Sequence, residues 1–208
     1  MLNVGLTGGI ATGKSTVARI LVGKGARLID FDELSHAVEE PEGPVWHEIV
    51  RHFGDKILHD DLTVNRRKLG DIVFANREKL DLLNRIVHPA VFKEWHRRIE
   101  EIRKVQLDAI VLSDIPLLIE AGMQPMVDLV LLVYLPPEEQ IARLVARNGY
   151  SRKEAEKRIA SQMSIEEKLP FADIVIRNDG SPEMTQKALN AIWAELIKRE
   201  RHRREKAD

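Results

Sequence analysis

Short apolar runs alternate with amphipathic stretches along most of this 208-residue chain. Leu2-Asn3-Val4-Gly5-Leu6 reads as a short buried strand, and Val17, Ala18, Leu21 and Val22 fall at helical spacing within 15–22. Four further runs, 26–30, 109–113, 129–135 and 174–177, are short, apolar and followed by polar or helical sequence, as buried parallel strands are. Between Asp30 and Ala109 no strand pattern of comparable strength occurs, while 45–53, 67–74, 79–87 and 90–105 all carry helical periodicity. His88-Pro89 predicts a break between the last two of these helices, because the residue before proline is pushed out of the α region.

Later in the chain, Pro136-Pro137 ends the fourth strand and opens a helix through Ala146. Ser151 with Glu154 forms a capping box for a short helix over 153–163. Ser181 and Pro182 occupy the cap and first position of a C-terminal helix. Strands alternating with helices imply a doubly wound α/β sheet, with the long helical stretch as an insertion.

The loop between the first strand and helix is Gly8-Gly9-Ile10-Ala11-Thr12-Gly13-Lys14-Ser15, a glycine at each end of a four-residue spacer followed by Lys-Ser. This is the phosphate-cradling P-loop pattern, and its strand-to-helix context is the one that the motif requires. Gly9, Ile10, Ala11, Thr12, Gly13 and Thr16 would surround the phosphates with backbone N–H groups at a positive helix end. Lys14 would reach the β- and γ-phosphates, and the Ser15 hydroxyl would meet a bridging Mg²⁺. A nucleoside triphosphate is the implied ligand.

Composition narrows the partners. The chain has 32 basic and 33 acidic side chains, a net charge of −1, so no overall positive field argues for nucleic acid. There is no cysteine, which excludes disulfides and thiolate chemistry and is compatible with a reducing cytosol. The histidines show no ligand spacing that predicts a zinc site. With the first strand starting at Leu2 and the longest apolar stretch near 129–135, neither a signal peptide nor a bilayer span is expected, and the expected location is cytoplasmic. The basic C-terminal stretch, 198–206, is interrupted by Glu200 and Glu205 and is expected to be a fraying, solvated helix end.

Two acids, Asp30 and Asp32, follow the second strand at the sheet edge where open α/β folds hold ligands. Asp32 either orients and deprotonates an acceptor hydroxyl near a metal or simply caps the following helix. The run 109–114 has the form of a Walker B strand ending in Asp114, a candidate for holding Mg²⁺. Ile115 to Glu120 form an apolar turn suited to flooring an acceptor. Arg143 and Arg147, four apart on a helix, suit a triphosphate, whereas Lys153, Lys157 and Arg158 read as a solvated face.

Taken together these segments resemble the dephospho-coenzyme A kinase family over nearly the whole chain. The resemblance rests on Gly5 through Ile10 running into Gly13-Lys14-Ser15, on Asp30-Phe31-Asp32, Asn65-Arg66 with Leu69-Gly70, and Leu83-Asn84 with Ile86 and His88-Pro89. It continues through Asp114 to Glu120, Gln140 to Leu144 with Arg147, Gln162, Ala172-Asp173 and Asn178. Two departures stand out: Phe31 where the family usually has Ala, and Ala11-Thr12 where Gly-Ser is common.

The resemblance implies an α/β P-loop kinase fold, a five-stranded parallel sheet flanked by helices with a helical acceptor-domain insertion and a small helical lid. Residues 1–31 and 106–208 would form the nucleotide-binding core, with the lid at about 143–168, and 32–105 the acceptor-binding insertion. ATP with Mg²⁺ would phosphorylate the ribose 3′-hydroxyl of dephospho-coenzyme A, in a monomer or small homo-oligomer with no nucleic-acid or membrane partner. Carried onto this sequence, Lys14, Asp32 and Arg147 are catalytic, and Ser15, Asp32 and Asp114 serve the metal. Arg143 lies in the lid region, Asn178 lies near the adenine, and Arg66, His88, Pro116 and Leu117 line the acceptor side with Asp32. A kinase for another small acceptor is the competing reading; a regulatory GTPase is disfavoured because neither an Asn-Lys-x-Asp nor an Asp-x-x-Gly element occurs.

Overall fold

The structure, a computed structural model, describes residues 1–206. Its strands are β1 (Leu2–Gly8), β2 (Arg27–Asp30), β3 (Ile110–Asp114), β4 (Leu129–Tyr134) and β5 (Ile174–Arg177). Its helices are α1 (Lys14–Gly23), α2 (Phe31–Val38), α3 (Pro44–Phe53), α4 (Arg66–Phe74), α5 (Arg77–Val105), α6 (Pro137–Asn148), α7 (Arg152–Ile159), α8 (Ile165–Lys168) and α9 (Pro182–Glu205). The chain divides into two compact units, one made of residues 1–29 with the chain from 102 onward, the other of Asp30–Glu101.

The first unit is built on a five-stranded parallel sheet in the order β2-β3-β1-β4-β5. Central β1 runs from Leu2 opposite Ile110 to Leu6 opposite Asp114 on one side, and from Val4 opposite Leu129 to Gly8 opposite Val133 on the other. Every residue of β1 is buried, as a strand covered on both faces must be, while the edge strands β2 and β5 each bury a single residue, Ile29 and Ile176. On one face Val17, Ala18 and Leu21 of α1 and Leu189 and Leu196 of α9 close over Leu2, Leu6, Leu112 and Leu131. Burying each such side chain contributes roughly 1.5–3 kcal/mol.

The C-terminal basic stretch is solvated, as expected, at every described position except Glu200. Helix α9 continues to Glu205, with Glu200 only 4% exposed. Its carboxylate accepts from the Met1 amino group at 3.0 Å, and Arg203 pairs with Asp128 at 2.7 Å. A buried carboxylate needs a charged partner, and the chain's own first residue supplies it.

In the second unit the helices are amphipathic. Val45, Trp46 and Ile49 of α3, Leu69 and Val73 of α4, and Val87, Val91, Trp95 and Ile99 of α5 are buried. The Trp46 indole donates to the Leu62 carbonyl at 2.7 Å. Phe31, the bulky departure between the two acids, is buried edge-on to Trp95 with ring centroids 5.2 Å apart.

Two helix boundaries overturn the reading from sequence. The break at His88-Pro89 does not occur: α5 is one helix of 29 residues with Pro89 inside it. An interior proline removes a hydrogen bond and costs about 3 kcal/mol. The helix nevertheless continues because Val87, Val91, Trp95 and Ile99 form one apolar stripe at four-residue spacing that stays in register across the proline. The helix expected over 153–163 instead stops at Ile159, and a second short helix, α8, follows. Its start is marked by a second capping box, Ser164 with Glu167, a Ser-x-x-Glu signal that the sequence carries as plainly as the Ser151–Glu154 box that opens α7.

Candidate active site

The P-loop leaves the carboxyl end of β1 and is shaped by close backbone packing. A Cβ at Gly8 would lie 2.9 Å from the Val133 carbonyl oxygen, which cannot yield. Gly13 has φ +91, and a Cβ there would lie 2.2 Å from the Asn178 amide nitrogen. Thr12 is fully buried, its amide and hydroxyl both donating to the Gly9 carbonyl, at 3.3 and 2.9 Å, so that the loop folds back on itself. Among the described residues the N–H groups of Ile10, Ala11 and Gly13 meet no protein acceptor. Unpaired amides curled at a helix start form a concave anion site.

Ala11, where glycine is common in the family, holds a left-handed φ of 62. For a residue with a Cβ this costs roughly 1–2 kcal/mol. Packing offsets part of it, since Ile10 and Ala11 rest on a small apolar cluster of Ile141, Leu144 and Ala155 from α6 and α7. The tip of the loop and the α6–α7 pair are thus in contact.

Lys14 and Asp114 form an ion pair, with the Asp114 residue 4% exposed. Ser15 and Thr16, in the first turn of α1, are exposed. Behind the loop, the Asn178 amide donates to the Thr12 carbonyl at 2.7 Å, and its oxygen accepts from the Thr185 hydroxyl at 3.0 Å. Arg143 donates to the Asn178 carbonyl at 2.7 Å. The structure therefore brings Arg143, Asn178, Thr12 and Gly13 into one network supporting the phosphate loop. It does not bring Arg147 there, because that side chain is exposed and donates to Asn148 at 2.8 Å. Of the neighbouring cations, Arg152 pairs with Glu138 at 2.8 Å and Arg158 lies 4.4 Å over the Tyr150 ring, and Lys153, Lys157 and Arg158 are exposed, as the solvated face read from sequence requires.

The turn after β3 approaches β1 from the other side. The Thr7 hydroxyl donates to the Pro116 carbonyl at 3.1 Å, and Leu118 packs where a Cβ on Gly5 would fall. Pro116 is half-buried and Leu117 is exposed, as a surface offered to a ligand requires. Two further polar residues were given no role in the reading from sequence. Gln140 is 2% exposed, donates to the Leu135 carbonyl at 2.8 Å, and stands against Gly9. Lys168 is fully buried, its ammonium 2.7 Å from Glu120 and 3.4 Å from the Gly8 carbonyl. Nothing in its local Glu-Glu-Lys-Leu context separates Lys168 from a solvated lysine; only the tertiary packing does.

In the helical unit, the cap of α2 is Asp30, whose carboxylate accepts from the Asp32 amide at 2.8 Å and the Glu33 amide at 3.4 Å. The capping alternative considered for Asp32 therefore belongs to Asp30. Asp32 sits in the first turn, exposed, with no hydrogen bond or ion pair to its carboxylate among the described residues. Arg66 pairs with Glu39 at 2.8 Å beside a cleft lined by His36, Thr63 and Val64. Burial raises the Glu39 pKa above its ordinary value, against the opposing pull of Arg66. His88 lies 6.0 Å from the Phe92 ring, and partial desolvation lowers its pKa, favouring the neutral imidazole.

A glycine loop at the carboxyl end of the central strand, a lysine paired with an acid-tipped neighbouring strand, and a helix starting at the loop define the P-loop kinase class of nucleotide-binding proteins. Comparison with known proteins refines this. The family model described as Dephospho-CoA kinase matches residues 2–184. A Syntrophus aciditrophicus protein named dephospho-CoA kinase is 59% identical over 207 residues, 100% of this chain and 88% of its own. One from Geobacter metallireducens is 45% identical, covering 96% of this chain and 98% of its own. The solved structure of dephospho-CoA kinase from Campylobacter jejuni aligns with a TM-score of 0.72 at 28% identity, over 94% of this chain and 97% of that one. The chain belongs to the dephospho-CoA kinase family. Among the described residues no helix is long and apolar enough to cross a membrane.

Proposed function

We propose that the P-loop unit holds ATP and that this chain's own side chains carry its γ-phosphoryl group to the ribose 3′-hydroxyl of dephospho-CoA, the final step of coenzyme A synthesis. The observation that carries the reading is the P-loop itself, with amides lacking a protein acceptor and Lys14 beside them, in a chain of this family. The N–H groups of Gly9 to Gly13, with Ser15 and Thr16 at the helix start, cradle the phosphates. Lys14 exchanges Asp114 for the β- and γ-phosphate oxygens, where its charge meets the negative charge that accumulates in the transition state.

In the transfer, the acceptor 3′-oxygen forms a bond to the γ-phosphorus while the bond from that phosphorus to the β,γ-bridging oxygen breaks, and ADP departs. The hydroxyl proton passes to the Asp32 carboxylate, which is free to take it because Asp30 does the capping. Arg143 steadies the loop, Asn178 supports it near the adenine, and Arg147 comes to the phosphates when ATP is bound. Arg66, His88, Pro116 and Leu117 hold the acceptor.

The available donors, the Ser15 hydroxyl and the carboxylates of Asp114 and Asp32, are hard oxygens of the kind Mg²⁺ takes while filling the rest of its shell with phosphate and water. Mg²⁺ bound there would neutralise the β- and γ-phosphate charge.

The test is a coupled assay of purified protein with ATP, Mg²⁺ and a panel of acceptors, followed by mass spectrometry of the product. One phosphoryl group should appear on the ribose 3′-hydroxyl of dephospho-CoA. Rapid turnover of a different small acceptor with dephospho-CoA inert would refute the substrate while leaving the kinase class standing.

A further inference from the structure

Lys168 is the feature of this molecule that stability alone does not account for. It is 0% exposed at the end of α8, yet it carries an ammonium into the protein. Its partners are the Glu120 carboxylate at 2.7 Å, approached at an angle poor for hydrogen bonding, and the Gly8 carbonyl at 3.4 Å. The attraction is therefore chiefly between charges. Burying such a pair is costly, and apolar side chains of similar volume in the same place stabilise a fold as well or better. What the charges add is direction.

They act where three segments meet: the last residue of β1 at the start of the P-loop, the turn after β3 that carries Pro116 and Leu117, and the helix that closes the α6–α8 region. A peptide group is planar with its carbonyl and N–H opposed, so an ammonium that holds the Gly8 carbonyl also fixes the direction of the Gly9 N–H, the first amide of the loop. Glu120 in turn anchors that ammonium to the turn after β3.

We propose that Lys168 is a positioning residue for phosphoryl transfer: held by Glu120, it fixes the first peptide of the phosphate loop relative to the turn carrying Pro116 and Leu117. The proposal rests on the reading of this loop as an ATP cradle. Misplacement of reacting groups by about an ångström lowers turnover by up to about 10²-fold without a matching loss of ground-state binding, so the effect belongs in kcat.

The experiment compares wild type with K168M/E120L, which removes both charges at similar volume and orphans neither, and with E120Q, which keeps the shape and leaves Lys168 an acceptor. Melting temperature, kcat, and KM for ATP are measured for each with dephospho-CoA as acceptor. The wild-type rate tests the ATP-cradle reading by itself. Given an active wild type, K168M/E120L should melt near the wild-type temperature, with kcat down about tenfold or more and KM for ATP changed less than about threefold. E120Q should lose about fivefold in kcat. A folded double variant with kcat within about twofold of wild type overturns the proposal, since the pair would then be packing only. If the double variant does not fold, E120Q decides: a wild-type kcat there overturns it equally.

Discussion

In the sheet unit three ion pairs join a buried charge to a partner far away in sequence: Asp114 with Lys14, Lys168 with Glu120, Glu200 with the Met1 amino group. In the helical unit, apart from Arg66 with the largely buried Glu39, the pairs lie at the surface, most of them three or four residues apart, such as Arg51 with Glu48 and Arg97 with Glu94. Exposed pairs of this kind contribute about 0–1 kcal/mol each and leave their side chains free to move. A buried charge held by a distant strand keeps one position. One unit thus supplies fixed electrostatics suited to a triphosphate. The other presents Asp32, Arg66 and His88, the residues proposed for the acceptor, on exposed helix positions.

The largest test of this division is D32N. It keeps the shape of the side chain but cannot take a proton, so turnover should fall by roughly 10² to 10⁴ while ATP affinity holds. Steady-state kinetics with ATP titrated separately checks it, and a larger loss from D30N would move the role to the neighbour. K14A strikes the other unit: removing the one motif cation that reaches the phosphates should cost on the order of 10²-fold or more in turnover. A folded K14A variant at near-normal rate would end the case for fixed electrostatics.

R147A should have a smaller effect, about tenfold in turnover at saturating substrates with ATP binding to the free enzyme little changed, because the side chain is exposed and engaged only with Asn148 here. Hydrogen exchange across 147–163, with and without a non-hydrolysable ATP analogue plus acceptor, gives the direct measurement. Unchanged protection would make α6 and α7 a fixed pair already seated on Ile10 and Ala11. The smallest effect is on stability alone. P89A restores the missing hydrogen bond in α5 and should stabilise by about 1–3 kcal/mol, read as a rise in melting temperature. A fall would mean that the proline sets the path by which Trp95 meets Phe31.

The phosphate loop of the candidate site was legible because its geometry is local. A P-loop draws its anion site from consecutive backbone amides, so Gly8 through Ser15 announce it without knowledge of distant contacts. The strands were legible for a related reason: a strand buried on both faces is mainly apolar, and β4 and most of β1 and β3 are, with Asn3, Thr7, Ser113 and Asp114 as buried polar exceptions. The local signals failed where two of them competed. Pro89 by itself predicts a break, and only the continuous stripe of Val87, Val91, Trp95 and Ile99 against the rest of its unit keeps the helix whole.

Sequence by itself determined the five strands in their chain order, the phosphate loop, the acid at the tip of β3 and the family, all carried by short-range pattern and ordered motifs. The tertiary structure decided which of two arginines four residues apart supports the loop, and which lysine is buried. Those choices depend on partners such as Asn178, Glu120 and Gly8, up to 160 positions away along the chain. Burial changes the meaning of a charge far more than its neighbours in sequence do, because desolvation and pairing act through space.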